Sequence, residues 1–351
     1  MKRPAFAAIA AFTALLALAV VMLGAYVRLS DAGLGCPDWP GCYGRIGAPT
    51  TEQAVEDANT AFPQSPVETA KAWKEMLHRY LAGTLGLLVL LLAGLAWRQR
   101  KSRGIRVGLP TLLLGLVIFQ ALLGMWTVTL LVNPAIVTAH LLGGLATLAL
   151  LWWLALREGR PWQAPLEPSL LRLRPWTWGG LALLLGQIFL GGWTSTNYAA
   201  LACTEFPTCY GGQWWPAGDF GEGFTLWREL GVNYEFGVLD SAARTAVHLA
   251  HRVGALLVLL YLGALALFLV GRADTRIHRN IGLAILAALL LQVGLGITNV
   301  LSQLALPVAV VHNGGAALLL LCLVTLLHVL TPIASVQPRS TFATAPLGGR
   351  T

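Results

Sequence analysis

QALLGMWTVTLLVNPAIVTAHLLG, residues 120–143, returns 172 positions later as QVGLGITNVLSQLALPVAVVHNGG, residues 292–315. Gln120, Gly124, His140 and Gly143 fall on Gln292, Gly296, His312 and Gly315. The dipeptide His78-Arg79 recurs as His251-Arg252, and the C-x5-C pair Cys36/Cys42 recurs as Cys203/Cys209. Self-similarity at a near-constant interval marks a duplicated structural unit. Here the unit is about half the chain.

The composition says what each unit is made of. Of 351 residues, 56% are hydrophobic and 11% charged, against roughly 25% charged in a soluble domain. Runs of about 20 apolar residues can cross a bilayer core of roughly 30 Å. Eight are read near 5–29, 76–97, 107–130, 137–156, 176–196, 245–270, 280–301 and 308–331. Four spans per unit give both units the same sense across the membrane, with their pseudo-twofold axis along its normal. The expected fold is therefore an all-α membrane protein, with eight transmembrane helices as two tandem pseudo-symmetric four-helix bundles. Residues 1–160 form the N-terminal half and 161–175 a linker with Pro161, Pro165, Pro168 and Pro175. Residues 176–335 form the C-terminal half, and 336–351 a tail expected to be disordered.

The net charge of +8 is a topological signal. With the N-terminus inside, the inner segments carry 16 of the 24 Lys and Arg but only Glu158, Glu167 and Asp274 among the 16 acids. That is the positive-inside bias. It places both termini in the cytoplasm of a bacterial cell and accounts for the basicity without a nucleic-acid partner. Two long segments, roughly 30–74 and 197–244, then lie outside. The first apolar run follows Lys2 and Arg3 but is too long for a signal peptide and lacks a small-residue cleavage site, so it reads as a retained helix.

Of seven histidines, His278 reads as a solvated loop residue and His328 as an interfacial residue near the inner end of the last span. The other five, His78, His140, His248, His251 and His312, fall at the outer ends of the second and fourth spans of each half. Ionisable residues in membrane helices are costly and functional by default. Zinc needs three or four protein ligands, whereas haem iron takes two axial ligands and the macrocycle supplies the rest. Two haem sites are expected: one between His78 and His140, the other between His251 and His312. Gly143, Gly254 and Gly315 lie three residues after their histidines, on the same helix face, and read as room for a flat ring. Arg79 and Arg252 sit at the outer interface, where they read either as propionate contacts or as side chains snorkelling to headgroups.

The two halves differ one turn before the histidine. Glu75 precedes His78, whereas His248 precedes His251. A carboxylate beside one haem only suggests that the first half reacts and the second relays electrons. The bland alternative is an acid at a helix start. Both cysteine pairs lie in outer loops, where an oxidising compartment permits Cys36–Cys42 and Cys203–Cys209 disulfides. The second reads as a staple; for the first, staple and redox-active bond stay open. Cys322, mid-helix, reads as a small core residue.

Taken together, RLSDAGLGCPDWPGC after the first span, EMLHR at 75–79, TAHLLGG at 138–144, HLAHR at 248–252 and VHNGG at 311–315 resemble the haem A synthase family over nearly the whole chain. The resemblance implies a membrane oxidoreductase that converts a ring methyl of haem O to a formyl by successive hydroxylations, with oxygen derived from water. It implies haem b as cofactor at His251 and His312, haem O as substrate at His78 and His140, and Glu75 as the essential carboxylate. Membrane lipid, haem O synthase and cytochrome oxidase assembly factors are the implied partners, with homo-oligomer formation open. The rival from another class is a di-haem membrane cytochrome exchanging electrons with quinone. It accounts for four histidines but not for a carboxylate in one half only. A transporter is disfavoured because its polar groups would sit at the midplane of broken helices.

Overall fold

The computed structural model describes residues 3–103, 105–161, 168–272 and 275–331. The expected tail 336–351 and residues 162–167 of the linker lie outside the described residues. Within them the chain is helical: α1 (Arg3–Leu29), α2 (Glu52–Ala61), α3 (Thr69–Arg103), α4 (Gly108–Thr129), α5 (Pro134–Gly159), α6 (Pro168–Leu171), α7 (Leu173–Thr196), α8 (Phe220–Gly223), α9 (Ser241–Arg272), α10 (Arg276–Leu301) and α11 (Leu306–Val329). The only β-pairing among the described residues is two isolated bridges, Cys42 with Arg45 and Tyr210 with Gln213.

Local chemistry sets the helix ends. The Asn133 side chain accepts from the Ala135 amide, and Pro134 opens α5 with a φ already suited to a helix. Thr275 caps α10 in the same way through the His278 amide. Arg160 ends α5 in a left-handed conformation at φ 50°.

Among the described residues, seven helices are long and apolar enough to cross a membrane: α1, α3, α4, α5, α9, α10 and α11. The sequence reading expected eight. The remaining helix, α7, has 24 residues, but Gly179, Gly180, Gly186, Gly191, Gly192 and Gln187 dilute its apolar character.

Packing follows the duplication. α1 lies along α5 and α3, with α4 on α3 and α5; α7 lies along α9, with α10 on α9 and α11. α11 also touches α1, α5 and α7, and α5 touches α7. The innermost layer comes from Leu148, Leu151 and Leu154 of α5 and Leu319, Leu320 and Leu323 of α11, all but fully buried. α4 and α10 turn Leu112, Ile118, Phe119, Leu283, Leu290 and Leu291 outward. In water that face would be an aggregation hazard. Against lipid it costs nothing, and association rests on close packing and interhelical hydrogen bonds. One such bond joins the halves: the Trp152 indole donates to Thr325 Oγ1 at 2.9 Å.

His278 corrects the sequence reading. It is 1% exposed in the first turn of α10, with Nδ1 2.6 Å from Thr275 Oγ1. The apolar run begins near residue 280, but the Thr275 cap starts the helix at Arg276 and places His278 in its first turn. His328 stacks edge-on against Trp153, with ring centroids 5.9 Å apart, and Cys322 is a free thiol packed against the core.

Candidate functional site

Two disulfide loops cap one end of the helix array. Cys36 is bonded to Cys42, and Cys203 to Cys209. The loops are near copies. In the first, Asp38 accepts from the Tyr43 and Gly44 amides at 2.6 and 2.7 Å. In the second, Glu205 accepts from the Gly211 and Gly212 amides at 3.0 and 3.1 Å and from the Thr208 hydroxyl at 2.8 Å. The two amides in each loop converge because their residues take positive φ: 56° and 71° at Tyr43 and Gly44, 57° and 72° at Gly211 and Gly212.

The Thr208 hydroxyl, then the Gly212 and Gly211 amides, hold the Glu205 carboxyl below its ordinary 4.5. Its contribution to the loop is therefore complete above pH 4.5 and lost as pH falls below that value. Protection of the Gly211 and Gly212 amides, relative to their intrinsic exchange, is expected to fall over that acid window in the native chain. In Glu205→Ala, which offers no acceptor, protection is expected to be low throughout the same range; an identical profile in both would refute the assignment.

Each loop is tied to the helix below it. The Cys36 amide donates to Glu75 Oε2 at 2.9 Å. The Cys203 amide donates to His248 Nδ1 at 3.2 Å. Glu75 and His248 thus occupy equivalent places and anchor equivalent loops. The arginines complete the attachment. Arg79 pairs with Glu75 and donates to the carbonyls of Asp38, Pro40 and Gly41. The Arg252 guanidinium lies 3.2 Å from His248 Nε2 and donates to the carbonyls of Thr208 and Glu205 at 2.8 and 2.7 Å. Both guanidinium groups thus donate to loop carbonyls, a use the sequence reading did not include.

Beneath the first loop lies a cavity of about 930 Å³, near the top of the usual range for small-molecule sites. His78 and His140 both line it, and so do Glu75 and Arg79. Val20, Val21, Leu85, Val117 and Leu141 supply apolar wall, with Arg28 and Arg45 toward the outer end. Arg28 bridges to the other half, donating to Tyr198 Oη at 3.0 Å and to the Ser195 carbonyl at 2.8 Å. His78 and His140 are within electrostatic reach of each other, as are His251 and His312.

Each ring is seated against a glycine of a neighbouring helix. A Cβ at Gly24 would stand 2.9 Å from His78 Cε1, and one at Gly191 would stand 3.2 Å from His251 Cε1. Gly124 and Gly296 do the same for His140 and His312. The glycines expected to leave room for a ring, Gly143, Gly254 and Gly315, do something else. Their missing Cβ positions hold the amides of Gln120, Gln187 and Gln292.

These features suit a porphyrin. Two imidazoles share a cavity, and His78 Nδ1 is buried without a hydrogen bond of its own. Among the described residues no three His, Cys, Asp or Glu gather to hold a bare metal ion. A profile described as cytochrome oxidase assembly protein, COX15-CtaA, matches residues 7–324. The chain belongs to this family. Among COX15-CtaA relatives, a protein of Shewanella oneidensis named Heme A synthase is 46% identical over 316 residues, covering 90% of this chain and 93% of the relative. Proteins of the same name from Caulobacter vibrioides and Granulibacter bethesdensis are 29% and 30% identical. They cover 88% and 89% of this chain, and 90% and 83% of their own lengths are covered in turn.

In this COX15-CtaA protein the fold brings His78, His140 and Glu75 to one cavity, whereas sequence reasoning gave no place to Arg28 or to the contacts between the three glutamines and histidine rings. The signal for the glutamines was present: Gln120, Gln187 and Gln292 each stand four residues before a histidine-facing glycine.

Proposed function

We propose that this chain is a haem A synthase of the bacterial inner membrane, oxidising a ring methyl of haem O to a formyl by successive hydroxylations. The carrying observation is that His78, His140 and Glu75, all from the first half, line one cavity, while His248 takes the place of Glu75 in the second half. In this reading residues 1–160 bind substrate and 176–335 bind cofactor, joined by 161–175. The two halves are four-helix bundles with α7 as the eighth span, both termini are cytoplasmic, and the haem sites face the periplasm.

His78 and His140 would hold the iron of haem O, and His251 and His312 that of haem b. Bound haem b would supply a one-electron redox centre. Methyl to formyl removes four electrons and four protons overall and adds one oxygen, here taken from water. Glu75 is placed to accept those protons at the carboxylate facing the cavity. The same negative charge steadies positive charge developing at the methyl carbon. Arg79, already held by the loop, would present its charge to a propionate at the cavity mouth. The apolar wall suits the hydrocarbon tail of haem O, which would enter from lipid. Haem O synthase and cytochrome oxidase assembly factors are the partners this reading implies.

Pigment extraction tests the proposal against a di-haem electron carrier. Protein purified in detergent from cells that make haem O is expected to yield haem b together with haem O or haem A. Haem b alone would favour the carrier.

A further inference from the structure

The cavity beneath the first disulfide loop does not stop at the histidines. It runs on, away from the loop, between α1, α3, α4 and α5. Gly86 lies eight residues beyond His78, and Thr147 seven beyond His140. Ala17 and Val117 each lie seven residues before Gly24 and Gly124, the glycines that seat those two rings. All four line the cavity. At about 1.5 Å of rise per residue, the lining reaches roughly 10–12 Å past the level of the histidines. Gly144, four residues beyond His140, lines the way there. Ala17 and Thr147, each 2% exposed, close the far end.

Protein interiors pack as densely as organic crystals, so a void of this length calls for a reason. The duplication supplies the comparison. At the offsets that align the cysteines and histidines, Ala17, Gly86, Val117, Gly144 and Thr147 fall on Leu184, Leu259, Leu289, Ala316 and Leu319. Every counterpart is larger, and every counterpart is apolar. Leu184, Leu289 and Leu319 are 3%, 1% and 0% exposed, and Leu259 and Ala316 pack against the same core. Where the first half leaves space past its histidine pair, the second half puts leucine. Gly86 shows how the space is kept. A Cβ there would meet only Val117, at 3.5 Å. Of the five lining residues, Thr147 alone has a polar side chain, and its hydroxyl is spent on the Gly143 carbonyl at 2.9 Å. A void lined in this way stays dry and takes a hydrocarbon.

We infer that Ala17, Gly86, Val117, Gly144 and Thr147 are specificity-determining residues. They hold open a slot for the hydrocarbon tail of the haem bound at His78 and His140, and the larger residues at the matching places bar such a tail from the second half. The inference rests on the haem reading above and deepens it. Haem O carries a long isoprenoid chain and haem b carries none, so the two halves select different haems by the space past the iron. The chain leaves the macrocycle at the edge roughly opposite the propionates. A tail in the slot therefore turns the propionates toward Arg79 and the disulfide loop.

The test uses full-length protein in detergent, with haem b already at His251 and His312. The first site is titrated with haem O or with haem b, and the absorption spectrum reads binding. Each buried methylene is worth about fourfold in affinity, so native protein is expected to bind haem O about 100-fold more tightly than haem b. Gly86→Leu, which imports the second-half residue, is expected to erase that preference by weakening haem O alone. Val117→Leu, a one-carbon change, is expected to cost haem O about fourfold, and it makes the same test if the Gly86 variant does not fold. Haem b retained at the second site reports folding. Native protein that takes neither haem at the first site would sink the haem assignment there. Native protein that binds both equally would overturn only the slot, and so would haem O binding that neither variant weakens. Equal loss of both haems in Gly86→Leu would overturn it as general damage to the site. A lipid acyl chain that mass spectrometry finds still held in the slot after haem O has bound would overturn it too.

Discussion

Glu75→Gln is expected to stop haem A formation while leaving the pigment in place. Gln is the informative replacement because Glu75 has two jobs. Its Oε2 accepts from the Cys36 amide, and a Gln oxygen can still do that, so the loop stays anchored. What is lost is the negative charge beside Arg79 and the ability to take a proton. Removing a general base costs about 10²–10⁴ in rate, so product should fall by at least two orders of magnitude. Haem b content and spectrum should not move, because His251 and His312 lie in the other half. Haem O should accumulate at the first site. Glu75→Ala would confound charge with anchoring, since the buried Cys36 amide would lose its acceptor at a cost of about 1–3 kcal/mol. Undiminished haem A output from Glu75→Gln would remove this carboxylate from the chemistry and leave it as a loop anchor, the role His248 plays in the second half.

His251→Ala and His312→Ala should each bleach the C-terminal site. Losing one of two axial ligands is a larger insult than losing a hydrogen bond to a ligand, so the loss should exceed the roughly 10–100-fold in affinity typical of the latter. The measurement is haem b per polypeptide and the low-spin absorption spectrum. Both variants should also fail to make haem A, because electrons would have no route away from the substrate. His78→Ala and His140→Ala should do the reverse, sparing haem b and losing haem O. A native spectrum in His251→Ala would show that iron is held elsewhere. Both halves share one hydrophobic cluster, so folding is best followed separately, by the two disulfides and by elution volume.

The histidine pairs were legible because duplication printed them twice: His78 and His140 recur as His251 and His312. Glu75 stood out by breaking that symmetry. Helices were legible because about 20 apolar residues in lipid have no alternative that satisfies their backbone. α7 is the instructive exception, since its glycines serve packing: Gly180 meets Leu262, Gly191 meets His251 and Gly192 meets Leu141. Hydropathy reads a glycine as weakly apolar and says nothing of what fills the space beside it. The same blindness misassigned Gly143, Gly254 and Gly315.

By itself, then, the sequence determined a duplicated, membrane-embedded helical chain with two imidazole pairs and one odd carboxylate. All of these rest on periodicity and residue type along a single strand of chain. Only the tertiary structure decided where Arg79 and Arg252 spend their donors, that Glu75 and His248 hold equivalent loops, that His278 is buried, and which glutamine reaches which ring. Those outcomes depend on partners 20 to 64 residues away or on a neighbouring cap, and packing, not local pattern, brings such groups within hydrogen-bonding reach.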